Sequence, residues 1–275
     1  MGFFEDIDEL GIVERHIKAL LGLEEDKASA LVARYKEVRL ELRDRLERMP
    51  QGSFSAQQLR GVLVQIDAAV EAMNRALLLG MRDTAAEAAL AGVEDQLTEI
   101  RAFSEHFKGA VVPLNVNALA VATDANQFLF NRYEASLNAY GEGVRSQLVS
   151  QLTNYLIYPR STGDINQAIG QYFAGEEWKL ERLARTEIHN IYNVSKMRGL
   201  SSVRDTTMPE LMKALVHPMD QRTGDDSKAL RKQNPIVPIE DPFEFTWKGK
   251  TRTFMAPPDR PNDRAILVPY DPSWG

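Results

Sequence analysis

The distribution of proline constrains this chain more than any other feature of its sequence. Of 13 prolines, three precede Thr207 and ten follow it. Proline breaks the interior of a helix and is excluded from central strands. The larger, N-terminal part of the chain can therefore form long helices, whereas the rest must form turns, short strands and extended segments. We predict a mainly α protein with a small C-terminal α+β lobe that contains a β-hairpin.

Residues 1–110 show the pattern of a helical bundle. Apolar side chains recur every three or four positions, with charged residues between them, as in amphipathic helices. The predicted helices cover about residues 8–22, 24–49, 55–77 and 84–108. Gly22 is expected to close the first as a C-cap, and Ser55 to open the third in a capping box. Such helices pack antiparallel when their loops are short. The region is either an ordinary bundle or a spacer that docks on a partner.

Residues 111–123 interrupt the helical pattern. Pro113, Asn115 and Asn117 indicate an extended linker or, equally, a strand that adds to a partner's sheet. A helical pattern resumes over residues 124–216, which we take as a second helical region. A turn at residues 158–164 divides it, with Asp164 as the N-cap of a short helix. A longer helix then covers Trp178–Leu200, with Gly199 near its end.

Residues 217–275 are expected to form the small lobe. Aromatic and polar residues alternate from Phe243 to Phe254 around a Lys-Gly turn, which predicts a β-hairpin. Ala265–Val268 predicts a further strand, and the last seven residues are expected to be extended. Tyr270 and Trp274 in this tail either anchor in a pocket of a neighbouring protein or cap their own lobe.

Charge limits the partners. The formal net charge is -6, and phosphate contacts require clustered Lys and Arg, so the chain is not expected to wrap nucleic acid over a broad surface. A local contact with DNA stays open. The most basic stretch comprises Lys179, Arg182, Arg185, Lys196, Arg198 and Arg204.

Metal and membrane signals are weak. The chain has no cysteine, and its four histidines are far apart in sequence, so neither a thiolate site nor a compact histidine site is expected. The N-terminus lacks the features of a signal peptide, and no run of 18 apolar residues occurs. We expect synthesis in the cytoplasm and no membrane contact.

Three short motifs follow one another in the second half of the chain. The first is Glu181–Asn193, with Ala-Arg-Thr-Glu at residues 184–187; the second is Asp220–Leu230, which opens with Asp-Gln-Arg-Thr; the third is Ala256–Pro269, with Pro-Pro-Asp-Arg-Pro-Asn-Asp-Arg at residues 257–264. In this order, with a hairpin before the third, they resemble the head morphogenesis family of tailed phages, typified by protein F of phage Mu and related minor capsid proteins. The resemblance covers about residues 140–269.

The resemblance implies a set of motif residues: Arg182, Arg185, Thr186, Glu187, Asn193, Asp220, Arg222, Thr223, Pro257, Pro258, Asn262 and Arg264. Many members of the family also have Cys-x-x-Cys in the second motif and His-Pro-Asn-Cys-Arg-Cys in the third, which look like a zinc cross-brace. The corresponding residues here are Gly224, Ser227, Arg260, Asp263 and Ala265. We therefore predict no structural zinc, and a lobe that is held by packing and hydrogen bonds.

The aspartates of the lobe permit two interpretations. Asp220, Asp225, Asp226 and Asp263 could bind a hard cation such as Mg²⁺ or Ca²⁺. The acidic residues alternate with arginines, however, which favours ion pairs with Arg222 and Arg264 as partners. We prefer the ion pairs, and expect no cofactor.

The first motif invites a catalytic interpretation, because Arg185, Thr186, Glu187 and His189 could supply a base, a nucleophile and an acid. Helical spacing puts Arg185 and His189 on one face and Glu187 on another. The sequence offers no second cluster for an oxyanion hole or a phosphate cradle. We therefore expect a structural role, in which Arg185 and Glu187 reach into the small lobe.

The resemblance implies a structural protein of the virion rather than an enzyme. Such a protein sits inside the phage head or at the portal vertex, in several copies, and contacts the portal protein, the major capsid protein or the scaffolding protein. The alternative is a metal-dependent nuclease or other head enzyme that uses Asp220, Asp225, Asp226 and Asp263. Residues 217–275 contain nine basic and nine acidic residues, so no basic groove supports that alternative.

Overall fold

The computed structural model describes residues 2–48, 56–157, 162–218, 220, 223–233 and 235–274. The protein is mainly helical, with short antiparallel strands near the C-terminus, which confirms the predicted fold class. The helices are α1 (Phe3–Leu10), α2 (Ile12–Glu47), α3 (Ala56–Lys108), α4 (Ala118–Ile157), α5 (Thr162–Thr206) and α6 (Asp225–Lys232). The strands are β1 (Met212–Val216), β2 (Ile236–Pro238), β3 (Phe243–Trp247), β4 (Lys250–Phe254) and β5 (Ile266–Tyr270).

The helices are longer than the sequence pattern predicted. Gly22 does not end a helix, because α2 continues through it; the break falls at Gly11, where φ is 63°. That left-handed conformation suits glycine at a helix C-terminus. The two helices predicted within residues 55–108 form the single helix α3. The helix predicted to end near residue 173 and the helix predicted to begin at residue 178 likewise form the single helix α5. Gly199 likewise lies inside α5 rather than at its end.

The predicted linker is shorter than expected. Residues 111–117 have no regular structure, but α4 begins at Ala118, where the side chain of Asn117 accepts a hydrogen bond from Ala120 N at 3.1 Å. Asn117 therefore caps the helix instead of lying within a linker. The predicted capping box at Ser55 and most of the turn at residues 158–164 fall outside the described residues.

The chain divides into two compact units that do not follow the predicted segments 1–110, 111–123, 124–216 and 217–275. The first unit comprises residues 1–25, 84–129 and 185–275; the second comprises residues 26–83 and 130–184. Each long helix α2 to α5 contributes to both. A sequence pattern read along the chain could not show this, because periodicity reports which face of a helix is buried and not which neighbour covers it.

The second unit is helical throughout its described residues. Tyr35, buried in α2, packs against the rings of Tyr140 and Phe173 and donates a hydrogen bond to Phe173 O at 3.0 Å. Arg145 of α4 pairs with Asp67 of α3 at 2.6 Å. Aromatic packing inside and ion pairs outside are the expected pattern for amphipathic helices.

The first unit contains both sheets. β1 lies between β2 and β5 in an antiparallel sheet, with Leu215 opposite Leu267. The predicted hairpin is present as β3 and β4, which turn at Lys248 and Gly249, both with positive φ. This is the geometry that a two-residue hairpin turn requires. Phe243 and Phe245 of β3 pack with Leu215 and Leu230 in one buried cluster.

Four elements near the C-terminus were not predicted: β1, which lies at the end of the region predicted to be helical, β2, α6 and a short 3-10 helix. β1 is buried along most of its length, so it lacks the alternation that reveals a half-buried strand. α6 begins at Asp225, with acidic residues in its first turn and basic residues in its last, an arrangement that complements the helix dipole. The tail is extended as far as Tyr270, where β5 ends. Residues Pro272–Trp274 then form a short 3-10 helix instead of continuing in an extended conformation.

Candidate functional site

The first and third motifs meet at the buried face of β5. The side chain of Asn193, fully buried on α5, accepts a hydrogen bond from Leu267 N at 2.8 Å and donates one to His189 O at 3.0 Å. Its Nδ2 also lies 3.5 Å from Ala265 O. An asparagine amide can satisfy a backbone donor and a backbone acceptor at once, so Asn193 fixes the start of β5 against the helix.

His189, one turn earlier on α5, links three segments of the first unit. Its Nδ1 lies 2.6 Å from Glu24 Oε1 of α2, and its Nε2 lies 2.6 Å from Ala265 O. Burial favours the neutral ring, but the hydrogen bond and charge of Glu24, with Asp263 and the Ala265 carbonyl, outweigh it and raise the pKa of His189. A carbonyl only accepts hydrogen bonds, so Nε2 carries a hydrogen, and an ionised Glu24 requires a second on Nδ1.

The second motif is joined to the third by a two-point ion pair. Both guanidinium Nη atoms of Arg264 donate to the carboxylate of Asp220, at 2.7 and 2.6 Å. The Thr223 hydroxyl donates to Pro218 O and accepts from Asp220 N at 3.2 Å, which closes the turn around the aspartate. The pairing of Asp220 with Arg264 that the sequence favoured is therefore present, whereas Arg222 lies outside the described residues.

A closed ring of four charges connects α6, β4 and the loop before β5. Asp226 accepts from Arg252 at 2.7 Å and from Arg260 at 3.0 Å, and Asp259 accepts from the same two arginines at 2.6 and 2.7 Å. Burial alone would raise the pKa of Asp226, but Arg252 and Arg260 hold it below its ordinary value. Burial and the charge of Asp263 raise the pKa of Asp259 despite both arginines.

Two of the positions at which the sequence departs from the resembled family, Ser227 and Arg260, are in contact. Arg260 Nη2 donates to Ser227 Oγ at 2.9 Å and so ties the second motif to the third. Asp263, buried nearby, accepts from Asp259 N at 3.1 Å and from Ala265 N at 3.2 Å. Hydrogen bonds thus hold the second and third motifs together in this part of the lobe.

The four aspartates considered for a cation have separate partners. Asp220 pairs with Arg264, Asp226 lies in the charge ring, and Asp263 accepts from backbone amides. Asp225 has a side chain that is 88% exposed at the start of α6. Across the ranges that the structure describes, no three His, Asp or Glu side chains are grouped so as to hold a metal ion.

A second buried polar network was missed by the sequence analysis. Lys196 Nζ lies 2.6 Å from Glu99 Oε1, and both side chains are fully buried. His16 Nδ1 lies 2.8 Å from the same oxygen, while its Nε2 lies 3.3 Å from Asp95. Asp95 also accepts from the Tyr192 hydroxyl at 2.6 Å. The sequence feature that could have indicated this network is Lys196, which lies one turn after Tyr192 on the apolar face of α5.

This network corrects the predicted basic stretch. Lys196 is buried and cannot contact DNA, Arg204 pairs with Asp205 and Glu240, and Arg198 pairs with Asp124 at 3.3 Å. Lys179 likewise pairs with Glu176 at 2.7 Å. These side chains are taken up largely by intramolecular ion pairs rather than presented as one patch.

The remaining motif residues have different positions. Arg182 lies over the ring of Trp178, with its guanidinium carbon 4.8 Å from the centroid. Arg185 and Thr186 line a cavity of about 230 Å³ together with Asn262, whose φ is 64°. Glu187 is buried on α5, and Pro257–Pro258 is a cis peptide.

The expected link between α5 and the lobe is present, and two residues that were not expected to make it take part. His189 and Asn193 contact β5 directly, while Arg185 shares a cavity with Asn262 and Asp263. His189 was expected only as a neighbour of Arg185 on the helix. Its spacing of four residues from Asn193 on one face of α5 was the available signal.

The C-terminal aromatics belong to the core of their own chain. Trp274 is 4% exposed and lies against Phe3, Phe103 and Phe107, while Tyr270 makes an edge contact with Phe3 at 4.9 Å. The ring of Trp274 is thus covered within its own chain, by residues of α1 and α3 that lie outside the lobe of residues 217–275. This packing matches neither predicted role, since Trp274 is not free to anchor in a neighbour and does not cap the lobe alone.

Searches of protein-family models, of curated proteins and of solved structures found no match to this chain. None of the described helices is long and apolar enough to cross a membrane.

Proposed function

We propose that this chain is a structural minor capsid protein of a tailed phage, of the head morphogenesis type, and not an enzyme. It assembles in the procapsid with the portal protein, the major capsid protein or the scaffolding protein. Several copies are present per virion, in the head interior or at the portal vertex, without a cofactor or a membrane contact. Contact with packaged DNA is weak at most.

The hydrogen bond between Arg260 and Ser227 carries the proposal. The resemblance rests on motif order, and it implies that these two positions, 33 residues apart, lie together, because the corresponding motifs of the family look like a zinc cross-brace. The distance of 2.9 Å between Arg260 Nη2 and Ser227 Oγ supports it. A chance match of short motifs would not require two such distant positions to be in contact.

The other motif residues support a structural role. Asn193 and His189 hold β5 to α5, and Arg264 holds Asp220 in the turn after β1. Each of these polar groups is used up in joining one segment to another. In a family of assembly proteins, the shared residues are expected to build a common fold and not to catalyse a common reaction.

The resemblance itself can be tested by restoring the cysteines. Cysteine is placed at Gly224, Ser227, Asp263 and Ala265, and zinc binding is measured by competition with a chromophoric chelator. We expect one zinc ion per chain, bound tetrahedrally by four thiolates. The matched control carries only the first two cysteines and should bind much more weakly. Equal zinc affinity in the two variants would contradict the resemblance.

The assembly role is tested in particles. Purified phage heads are analysed by quantitative mass spectrometry after complementation of a deletion with the wild-type gene. We expect the protein in the heads, and a collapse of head yield without it. A deletion that leaves normal, infectious heads from which the protein is absent would rule out the proposed function.

A further inference from the structure

A cavity of about 460 Å³ lies in the first unit, between α2, α6 and the segment that follows β1. Val13, Ile17 and Leu21, spaced four residues apart on one face of α2, form its apolar wall. His217 and Arg231 line it from the lobe. It therefore combines an aliphatic side with a polar side, as small-molecule sites do.

Within the described part of the chain, two buried polar atoms of this lining have no hydrogen-bond partner. They are Nε2 of His217, a residue 3% exposed, and Nη1 of Arg231, a residue 8% exposed. Buried polar groups are almost always paired in native proteins. Both side chains are otherwise fixed, because Arg231 Nη2 donates to Asp8 at 2.7 Å and His217 Nδ1 faces Asp263 at 3.6 Å. Their unpaired atoms are thus held in place beside the cavity.

The charges define the ligand. Lys18 pairs with Glu14 at 2.7 Å, and Arg264 pairs with Asp220 at 2.6 Å, so these lining cations already have counter-ions. Arg231 likewise pairs with Asp8 at 2.7 Å, but its Nη1 has no hydrogen-bond partner among the described residues, so the unused donor lies there. One free guanidinium N–H group and one imidazole suit a single planar anion, whereas a phosphate dianion would need more donors than these two groups supply. The apolar wall selects an aliphatic group attached to that anion.

We propose that this cavity binds an aliphatic carboxylate, which accepts hydrogen bonds from Arg231 Nη1 and His217 Nε2 and lays its alkyl chain against α2. The carboxylate comes either from a free short-chain acid or from the C-terminus of a peptide with an aliphatic last residue. The site does not depend on the proposed assembly function, and its failure would leave that function untouched.

Binding is coupled to proton uptake. Burial, with the charges of Arg260 and Arg231, lowers the pKa of His217 to about 4, although Asp263 and Asp226 act in the opposite sense. The other charged groups of the lining are Asp8 of α1, which pairs with Arg231, Glu14 and Lys18 of α2, Asp220 and Arg264. Asp263 favours a hydrogen on Nδ1, so Nε2 can donate to a carboxylate only when the ring is protonated. Affinity should therefore rise as the pH falls.

Titration calorimetry of the full chain with hexanoate tests the proposal. We expect saturable binding that tightens by up to about tenfold per pH unit from about pH 7.5 to about pH 5.5, with no binding of hexanamide or inorganic phosphate. A peptide that ends in a free leucine, compared with its amidated form, distinguishes the two sources: whichever of hexanoate and the free peptide binds more tightly identifies the source.

Variants locate the site. Arg231→Met should weaken binding at least tenfold, whereas Lys232→Met, on the exposed side of the same helix, should leave it unchanged. If Arg231→Met fails to fold, His217→Gln serves in its place, and its binding should lose the pH dependence. The proposal is overturned if neither hexanoate nor the free peptide binds, if hexanamide binds equally well, or if a folded variant at either position behaves as the wild type.

Discussion

Replacement of Asn193 by alanine removes the only acceptor described for the amide of Leu267 and should loosen β5. Both groups are fully buried. A buried donor left unpaired costs about 1–3 kcal/mol, and loss of the amide group adds a small cavity. We expect a total of about 2–4 kcal/mol, which corresponds to about a thirty- to several-hundred-fold change in an equilibrium constant.

Hydrogen exchange is the appropriate assay for this variant, because a chain with two compact units need not unfold in one step. Exchange of the Leu267 amide, followed by NMR or mass spectrometry of β5 peptides, should accelerate by the factor given above. Asn138→Ala, on an exposed position of α4, is the matched control and should change stability by no more than about 0.5 kcal/mol. Equal Leu267 exchange in the two variants would refute the reasoning.

Three further perturbations have defined outcomes. Because the pKa of His189 is raised in the folded state, its protonation contributes stability that is fully present below the unfolded-state pKa of about 6.5 and is lost as the pH rises through the folded-state pKa. Glu24→Gln should remove this pH dependence of the free energy of unfolding, as measured by urea unfolding across pH. Burial lowers the pKa of Lys213 to about 8, so stability should rise between pH 8 and about 10.5 by up to about 1.4 kcal/mol per pH unit, and Lys213→Met should abolish the rise. Trp274→Ala should cost about 3–5 kcal/mol by thermal unfolding, because the ring is buried among Phe3 and its neighbours; no change in the midpoint would show that the C-terminal turn does not pack as described.

The predictable part of the fold was the part that depends on local pattern. The proline distribution separated helical from strand-containing regions, and the Lys248–Gly249 dipeptide located the hairpin. Helix ends were predicted less well, since glycines such as Gly22 and Gly199 are tolerated inside helices whose packing supplies the stability. The grouping into two units depends on contacts between distant segments, which periodicity does not encode.

The candidate site was predicted in its residue types but not in its pairings. Motif order identified Asn193, Asp220 and Arg264, and the alternation of acids with arginines favoured ion pairs. The partners Glu24 and Arg252 were missed, because they lie on α2 and β4, outside the motifs. Charge pairing over such separations can only be recognised once the elements are packed.

Under the proposed function, the described polar groups serve a scaffold and not a reaction centre. Each aspartate once considered for a cation, apart from the exposed Asp225, is engaged by an arginine or by backbone amides. Substitutions that shorten these side chains, or that remove their partners, should therefore impair assembly by lowering the stability of the fold. The predicted order of effects is that buried clamps such as Asn193 matter most and exposed charges such as Asp225 matter least.

The most direct test of the assembly role is light scattering coupled to size exclusion on the purified chain mixed with the portal protein of the same phage. We predict a stable complex of defined stoichiometry that contains several copies of this chain. Separate elution of the two proteins, together with Mg²⁺-dependent cleavage of DNA by this chain alone, would contradict the account.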